Sequence, residues 1–124
     1  MLAAATALKV LVVEDDADTC DAIATYLQAQ GYETECVSTV GGALIRLESW
    51  PPPAALLVDL KLPDANGGLL LRRIRRDALP VKVALVTGVH DLSEYPHVTR
   101  FPPDRIFRKP LDMNELVGWL NSVL

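Results

Sequence analysis

The chain has 124 residues, of which half are hydrophobic and 23% are charged, and these values fit one globular domain rather than a disordered chain. Its formal net charge of −4 gives no basis for direct binding to nucleic acid, which depends on basic surface. Residues 1–8 lack the basic start of a signal peptide, and no apolar run reaches the roughly 20 residues of a membrane span, so we expect a cytoplasmic protein without membrane contact.

The first strand is predicted at residues 8–13, where a β-branched apolar run ends in the acidic residues 14–16. Asp16 or Asp18 is expected to cap a helix, and Gly31 to end it, because glycine readily adopts the left-handed conformation found at helix ends. The inward face of this helix is predicted to carry Ala22, Ile23, Tyr26 and Leu27.

Residues 32–38 alternate in polarity and predict a second strand, which is less apolar than the first and therefore lies nearer the sheet edge. A second helix is predicted over residues 39–50 and stops at the prolines 51–53. The third strand, residues 54–58, is apolar throughout, as buried parallel strands are. Asp59 follows at its carboxyl end, where open α/β sheets place their chemistry.

The second half continues this alternation. Residues 66–77 predict a third helix, whose arginine cluster at residues 72–76 is interpreted as a solvated face. Residues 81–86 and 105–108 predict the last two strands. Three prolines interrupt residues 89–104 between them, so a full helix is not expected there.

A last helix is predicted after Asp112, which caps it, and Trp119 is assigned to its buried face. Strands that alternate with helices imply βαβ units and right-handed crossovers. The predicted fold class is therefore α/β, a doubly wound five-stranded parallel sheet with helices on both faces and a fourth helix that is short or replaced by a loop.

Cys20 and Cys36 do not have the spacing of a metal motif, and two cysteines are too few for a disulfide framework. Cys20 falls in a helix pattern and Cys36 in a strand pattern. Both are therefore interpreted as small core hydrophobes of a reduced, cytoplasmic protein.

Four polar features are predicted at carboxyl ends of strands, which crossover topology brings to one edge of the sheet. They are the acidic residues 14–16, Asp59, Thr87 and Lys109. Gathered carboxylates repel unless a cation compensates, and oxygen-rich sites suit Mg²⁺. A lysine and a hydroxyl could neutralise and hydrogen-bond a phosphoryl group held on a carboxylate. These are the parts that phosphoryl transfer requires.

This arrangement resembles the receiver domain of two-component response regulators, the CheY-like domains. Four segments carry the resemblance: VLVVEDD (10–16), LVDLKLPDANG (57–67), LVTG (85–88) and FRKPLD (107–112). The resemblance implies a flavodoxin-like sheet of order 2-1-3-4-5 and a receiver domain over residues 1–124, with an ordered core of about 7–124. We expect no output domain within these residues.

The resemblance also implies roles for individual residues. Asp59 would be the phosphoacceptor, which takes a phosphoryl group from a histidine of a sensor kinase or of a histidine phosphotransfer protein. Asp15 would bind Mg²⁺ (or Mn²⁺) directly, and Glu14 would act through water. Asp59 and the backbone carbonyl of Lys61 would complete the protein's share of the metal shell.

In the same way, Thr87 would hydrogen-bond the phosphoryl oxygens, and Lys109 would pair with the phosphate and precede a commonly cis peptide bond. The family usually places Tyr or Phe three residues before this lysine as a rotamer switch. Here Ile106 holds that position, and Phe107 alternates to the opposite face of the strand. We therefore expect activation to order or shift the loop of residues 88–103 instead.

Other readings stay open from the residues. One alternative is a pseudo-receiver that binds proteins without phosphorylation. Another is a phosphatase of the haloacid-dehalogenase type. It is disfavoured because that type requires a second acid two residues after the nucleophile, and here Lys61 occupies this position. The protein is expected to be a signalling switch rather than an enzyme. Such a switch acts through protein–protein interactions, here with a downstream target that the sequence does not name. Homodimerisation through the last helix is a further alternative.

Overall fold

A computed structural model describes residues 7–124 of the chain. Residues 1–6 lie outside the described residues. The prediction that the chain does not start with a signal peptide falls mostly on them. Five strands are present in this part: β1 (Lys9–Val13), β2 (Glu33–Val37), β3 (Ala55–Asp59), β4 (Lys82–Thr87) and β5 (Arg105–Arg108). Five helices alternate with them: α1 (Ala17–Ala29), α2 (Val40–Glu48), α3 (Gly68–Arg76), α4 (Pro96–Arg100) and α5 (Met113–Val123).

The strands form one parallel sheet in the order β2-β1-β3-β4-β5, as predicted. β3 lies at the centre, and all five of its residues are buried. β2 lies at an edge and is partly exposed along its length. The apolar content of each strand thus matches its position, because a central strand is covered on both faces and by neighbours on both sides.

Helices cover both faces of the sheet. Alternate residues of β3 point to opposite sides, so that Leu56 packs with α2, α3 and α4 while Leu57 packs with α1 and α5. We call these the α3-side cluster and the α1-side cluster. Trp119 of α5 is buried in the α1-side cluster, as predicted.

The predicted helix ends are largely confirmed. Asp16 is the N-cap residue of α1, and Gly31 follows this helix with a φ of +94°, a conformation that favours glycine. The Asp112 carboxylate accepts hydrogen bonds from the first backbone N–H groups of α5. One inward assignment is wrong: Ala22 is exposed, because its position on α1 is rotated away from the buried face that Ile23 occupies.

The fourth helix is short, as the prolines predict. α4 has five residues with Pro96 in its first turn, and it is anchored by Val98, which is buried in the α3-side cluster. No helix among residues 7–124 combines the length and apolar character needed to cross a bilayer.

The interpretation of both cysteines as reduced core hydrophobes is wrong, because a disulfide joins them and Cys36 is not in the core. Cys20 on α1 is buried, whereas Cys36 on β2 is exposed. The two are joined by a disulfide between α1 and β2. Because β2 is an edge strand, as its polarity pattern predicts, its side chains have less cover than those of the inner strands.

Candidate functional site

Three carboxylates converge at the carboxyl edge of the sheet. Glu14 and Asp15 follow β1, and Asp59 is the last residue of β3. β1 and β3 are parallel neighbours in which Val13 aligns with Val58, so the residues after them lie side by side. One carboxylate oxygen from each acid lies within 4.8 Å of the others. We call residues 14–16 the acidic loop.

Lys109 is the cation that faces this cluster. Its Nζ donates a hydrogen bond of 2.7 Å to Oδ2 of Asp59. The Asp59 side chain is only 8% exposed, whereas that of Lys109 is 45% exposed. The hydrogen bond to Asp59 is the main cause that raises the pKa of Lys109, so its positive charge is stabilised in place.

Negative charge in the cluster exceeds positive charge. Partial burial is the main cause that raises the pKa of Glu14, and the nearby carboxylate of Asp59 adds to it. The backbone N–H of Asp16, which donates to the Glu14 carboxylate at 3.1 Å, acts in the opposite direction. The three crowded carboxylates supply the oxygen ligands that a hard divalent cation such as Mg²⁺ prefers, so these residues fit the implied metal.

Thr87 and Lys109 lie next to each other beside Asp59. Thr87 ends β4 one residue beyond Val86, which aligns with Asp59 across the sheet. The Lys109 backbone N–H donates to the Thr87 carbonyl at 3.0 Å. Thr87 is buried, and its Oγ1 accepts a hydrogen bond of 2.9 Å from the Val89 N–H. Its own hydroxyl proton remains available for a further acceptor.

The loop after β3 holds the Asp59 carboxylate in place. The Lys61 backbone N–H donates to Oδ1 of Asp59 at 3.2 Å, so both carboxylate oxygens have a partner. The role of the Lys61 carbonyl as a metal ligand stays a prediction. Gly67 passes so close that a Cβ there would meet the Asp59 carbonyl oxygen at 2.5 Å, which explains why a residue without a side chain is required.

The residue at the usual aromatic switch position lies on the face that the sequence predicts. Ile106 packs against the α3-side cluster, whereas Phe107 is buried in the α1-side cluster. The Phe107 ring meets Trp119 edge-on, with 6.0 Å between ring centroids. Phe107 is therefore fixed in the core on the face of the sheet opposite to Ile106.

Asp64, in the loop after β3, holds the start of α2. Its carboxylate accepts hydrogen bonds from the N–H groups of Val40 (3.0 Å) and Gly41 (2.9 Å), the first residues of α2. These bonds hold the pKa of Asp64 below its usual range. No local pattern could have revealed this contact, because acceptor and donors lie more than 20 residues apart.

A cleft of 640 Å³ leads to the carboxylate cluster. Polar groups of Glu14, Asp59 and Lys109 lie at one part of it, and the rest is mainly apolar, including Ile23 and Leu111. The cleft lies between α1 and the loop before α5. A phosphate-bearing side chain of another molecule could therefore approach Asp59 from this side.

The fold and the site together match one family. The family model described as "Response regulator receiver domain" matches residues 10–121. The chain belongs to the response regulator receiver domain family. The matched residues include all of the sheet except Lys9, the first residue of β1, and all four of the strand ends described above.

Individual relatives agree with this assignment. The chain is 32% identical over 115 residues to the TorCAD operon transcriptional regulatory protein TorR of Escherichia coli O157:H7, and this match covers 93% of the chain and 49% of the relative. It is also 32% identical over 108 residues to the response regulator receiver protein Anae109_2439 of Anaeromyxobacter sp., which covers 86% of the chain and 41% of that protein. The chain thus spans about half the length, or less, of these two relatives.

Solved receiver structures share the fold closely. A CheY-like receiver domain protein from Methanospirillum hungatei superposes with a TM-score of 0.85 at 27% identity, covering 94% of this chain and 93% of that one. A receiver protein from Pseudomonas putida gives 0.83 at 27% identity, with 96% and 99% covered. These values establish the CheY-like arrangement of the five-stranded sheet.

Proposed function

We propose that this receiver is a phosphoacceptor of a two-component phosphorelay, with Asp59 as the acceptor residue. The observation that carries the proposal is the set of contacts around Asp59. Its carboxylate clusters with those of Glu14 and Asp15, and it is bonded to Lys109 on the other side. If Asp59 were only a structural residue at the end of β3, nothing would require two further acids and a cation to lie beside it.

The donor in this proposal is a phosphohistidine of a sensor kinase or of a histidine phosphotransfer protein. A carboxylate oxygen of Asp59 attacks the phosphorus, the P–O bond forms, and the P–N bond to the donor imidazole breaks. The imidazole leaves with the bonding electron pair and is then protonated. Bound Mg²⁺ would supply charge neutralisation for the phosphoryl oxygens, and the residues that would hold it are Glu14, Asp15, Asp59 and the Lys61 carbonyl.

The remaining residues act on the phosphorylated form. Lys109 exchanges its contact with Oδ2 of Asp59 for one with a phosphoryl oxygen, which it can reach because its side chain already lies at that carboxylate. The free hydroxyl proton of Thr87 is donated to a second phosphoryl oxygen. Lys61 and Val89, two residues beyond Asp59 and Thr87, are placed to control how water reaches the acyl phosphate. The protein therefore acts as a switch for protein partners and performs only its own phosphorylation and dephosphorylation.

The test is a substitution of the acceptor. Asp59→Asn keeps the shape of the side chain but removes the nucleophile, so we expect labelling by a small phosphodonor such as acetyl phosphate with Mg²⁺ to be abolished. Intact mass spectrometry measures the label, and circular dichroism checks the fold. The matched control is Asp18→Asn, which alters an exposed carboxylate of α1 outside the cluster and should label like the wild type.

Two results would contradict the proposal. Labelling that persists in Asp59→Asn would mean that the acceptor is another residue. A wild-type protein that takes no label from any phosphodonor with Mg²⁺ would instead favour the pseudo-receiver, a protein-binding module without phosphorylation. The haloacid-dehalogenase alternative remains disfavoured because the side chain of Lys61 occupies the place of its second acid.

A further inference from the structure

The disulfide between Cys20 and Cys36 joins two elements that flank the acidic loop. These are the only cysteines of the chain, so any thiol chemistry of the protein belongs to this pair. Their Cα atoms are 6.3 Å apart, within the range that a disulfide spans without backbone movement. Neither residue has a part in the proposed phosphoacceptor chemistry.

The same two elements hold the ends of the acidic loop. The Glu14 N–H donates to the Val37 carbonyl of β2 at 3.0 Å, which anchors the start of the loop. The Cys20 N–H donates to the Asp16 carbonyl at 3.0 Å, which anchors its end on α1. One end of the disulfide is Cys20, which is itself an anchor residue. The other end is Cys36, which directly precedes the second anchor residue, Val37. It is a covalent tie between the two points that hold the metal-binding acids.

The space around the disulfide is continuous with these acids. A concave region of 390 Å³ is lined by Cys20, Cys36, Glu14 and Asp15. The Cys36 side of the disulfide is exposed, whereas Cys20 is 4% exposed. Because Cys36 is the exposed residue of the pair, we expect exchange with a small thiol or disulfide in solution to begin at Cys36 rather than at buried Cys20.

We propose that Cys20 and Cys36 form a thiol–disulfide exchange site that controls how firmly the acidic loop is held, and through it the affinity of the phosphoacceptor site for Mg²⁺. The reaction partners are small-molecule disulfides and thiols of the glutathione class. The part of this inference that concerns Mg²⁺ rests on the proposed function, whereas the exchange reaction and the effect on the loop do not.

The chemistry is a balanced exchange of sulfur bonds. In oxidation, the Cys36 thiolate attacks the small disulfide, forms a mixed disulfide and releases one small thiol. The Cys20 thiolate then attacks the Cys36 sulfur, forms the internal bond and releases the second small thiol. Two electrons pass from the protein to the small disulfide, and the two cysteine protons end on the released thiols. Reduction is the reverse reaction, which starts with attack of the small thiolate on the sulfur of Cys36.

The oxidised protein is expected to bind Mg²⁺ more tightly. With the disulfide intact, α1 and β2 cannot separate, and the acidic loop is held near the geometry that brings Glu14 and Asp15 towards Asp59. In the reduced protein, the two hydrogen bonds at its ends hold the loop without that tie. Ordering the loop on the metal then costs more conformational entropy, which lowers the affinity.

The experiment compares the oxidised protein, prepared with glutathione disulfide, with the protein reduced by dithiothreitol. Thiol counting under denaturing conditions should find no free thiols in the oxidised protein and two in the reduced protein. Without metal, amide hydrogen exchange in the acidic loop should be faster in the reduced form, while exchange in residues 64–68 is unchanged. Calorimetric titration with Mg²⁺ should show about fivefold weaker binding after reduction, within the usual range of coupling between sites.

Cys36→Ser is the matched control, because it removes the exposed partner and leaves buried Cys20 in place. Loop exchange and Mg²⁺ affinity in this variant should not respond to either reagent. Free thiols that persist after oxidation of the wild type would overturn the exchange site. Equal loop exchange in the two redox forms would overturn the coupling. If neither form binds Mg²⁺, the proposed function and the metal part of this inference both fail. Thiol counting and loop exchange then still test the exchange site and its effect on the acidic loop.

Discussion

At the scale of single residues, the site is defined by competition for one carboxylate. Oδ2 of Asp59 accepts from the Lys109 ammonium group, and Oδ1 accepts from the Lys61 backbone N–H. A metal ion held by Asp59 must share this carboxylate with Lys109 and is also repelled by its charge. Lys109 should therefore oppose metal binding at Asp59, whereas under the proposed function the same charge would stabilise the phosphorylated form.

Replacing this lysine separates the two effects. Lys109→Met keeps a long side chain but removes the charge, so we expect Mg²⁺ to bind about threefold to tenfold more tightly, a modest gain because Lys109 is half exposed and its field is screened. The yield of phosphorylated protein at equilibrium should fall, because the phosphoryl group loses its cation. Calorimetry and intact mass spectrometry measure the two quantities.

The matched control is Arg108→Met. Arg108 is the neighbouring cation, but its guanidinium group donates to the Val89 carbonyl and has no contact with the carboxylate cluster. This variant should leave Mg²⁺ affinity near that of the wild type. Weaker binding of Mg²⁺ to Lys109→Met would show that the lysine organises the cluster rather than competing with the metal.

At the scale of elements, the segment between β4 and β5 takes the place of a regular fourth helix. It begins at a hydrogen bond from the Val89 N–H to Oγ1 of Thr87, and its later part is anchored by buried Val98. A Thr87 side chain that turns towards a phosphoryl group would withdraw the acceptor from Val89. Such a turn would couple the start of residues 88–103 to the site without any aromatic side chain.

We therefore expect phosphorylation to change the dynamics of this segment. Backbone amide relaxation, measured with and without beryllofluoride as a phosphoryl mimic, should differ at Val89 and the residues that follow it, and less around Val98. Thr87→Ser, which keeps the hydroxyl, should behave like the wild type, whereas Thr87→Val should not respond. Equal rigidity of residues 88–103 in both states would contradict this form of activation.

Asp64 links two other elements, because it lies in the loop before α3 and caps α2. Asp64→Ala removes the acceptor of two backbone N–H groups, so we expect a lower Tm at pH 7. Asp64→Asn keeps an acceptor oxygen, so its Tm should fall by less. Because the pKa of Asp64 is lowered in the folded protein, its contribution is complete above the ordinary value of 3.8 and is lost as the pH falls through the lower folded value.

Calorimetric scans at several pH values measure this effect. The difference in Tm between wild type and Asp64→Ala should be constant from pH 7 to about pH 5 and should shrink below the ordinary aspartate value. A difference in Tm that grows as the pH falls would mean that the carboxylate does not stabilise α2 through its charged form.

At the scale of the whole molecule, the sequence predicted what depends on local pattern and missed what depends on distant contacts. The apolar run that ends at Asp59 was sufficient to place a central strand, and the prolines around α4 were sufficient to shorten that helix. The hydrogen bonds of Asp64 and the pairing of Cys20 with Cys36 were missed. Each joins residues on different elements that the fold brings together, and no residue pattern along the chain records these contacts.

The central strand also makes the two faces of the sheet one cooperative unit. Leu56 belongs to the α3-side cluster and its neighbour Leu57 to the α1-side cluster, so a cavity on one side weakens the strand that supports the other. Leu56→Ala should lower the free energy of unfolding by about 2–5 kcal/mol, because Leu56 is fully buried. Ile45→Ala, at a residue 69% exposed, is the control and should change it by less than about 0.5 kcal/mol.

The cooperativity itself is measured with a probe on the opposite face. Trp119 is buried in the α1-side cluster, while Trp50 is 83% exposed and should contribute little to the fluorescence change on unfolding. In Leu56→Ala, urea unfolding followed by tryptophan fluorescence and by far-ultraviolet circular dichroism should shift together to the same lower midpoint. If fluorescence kept the wild-type midpoint while the circular dichroism transition moved, the two faces would unfold separately, and β3 would not transmit stability between them.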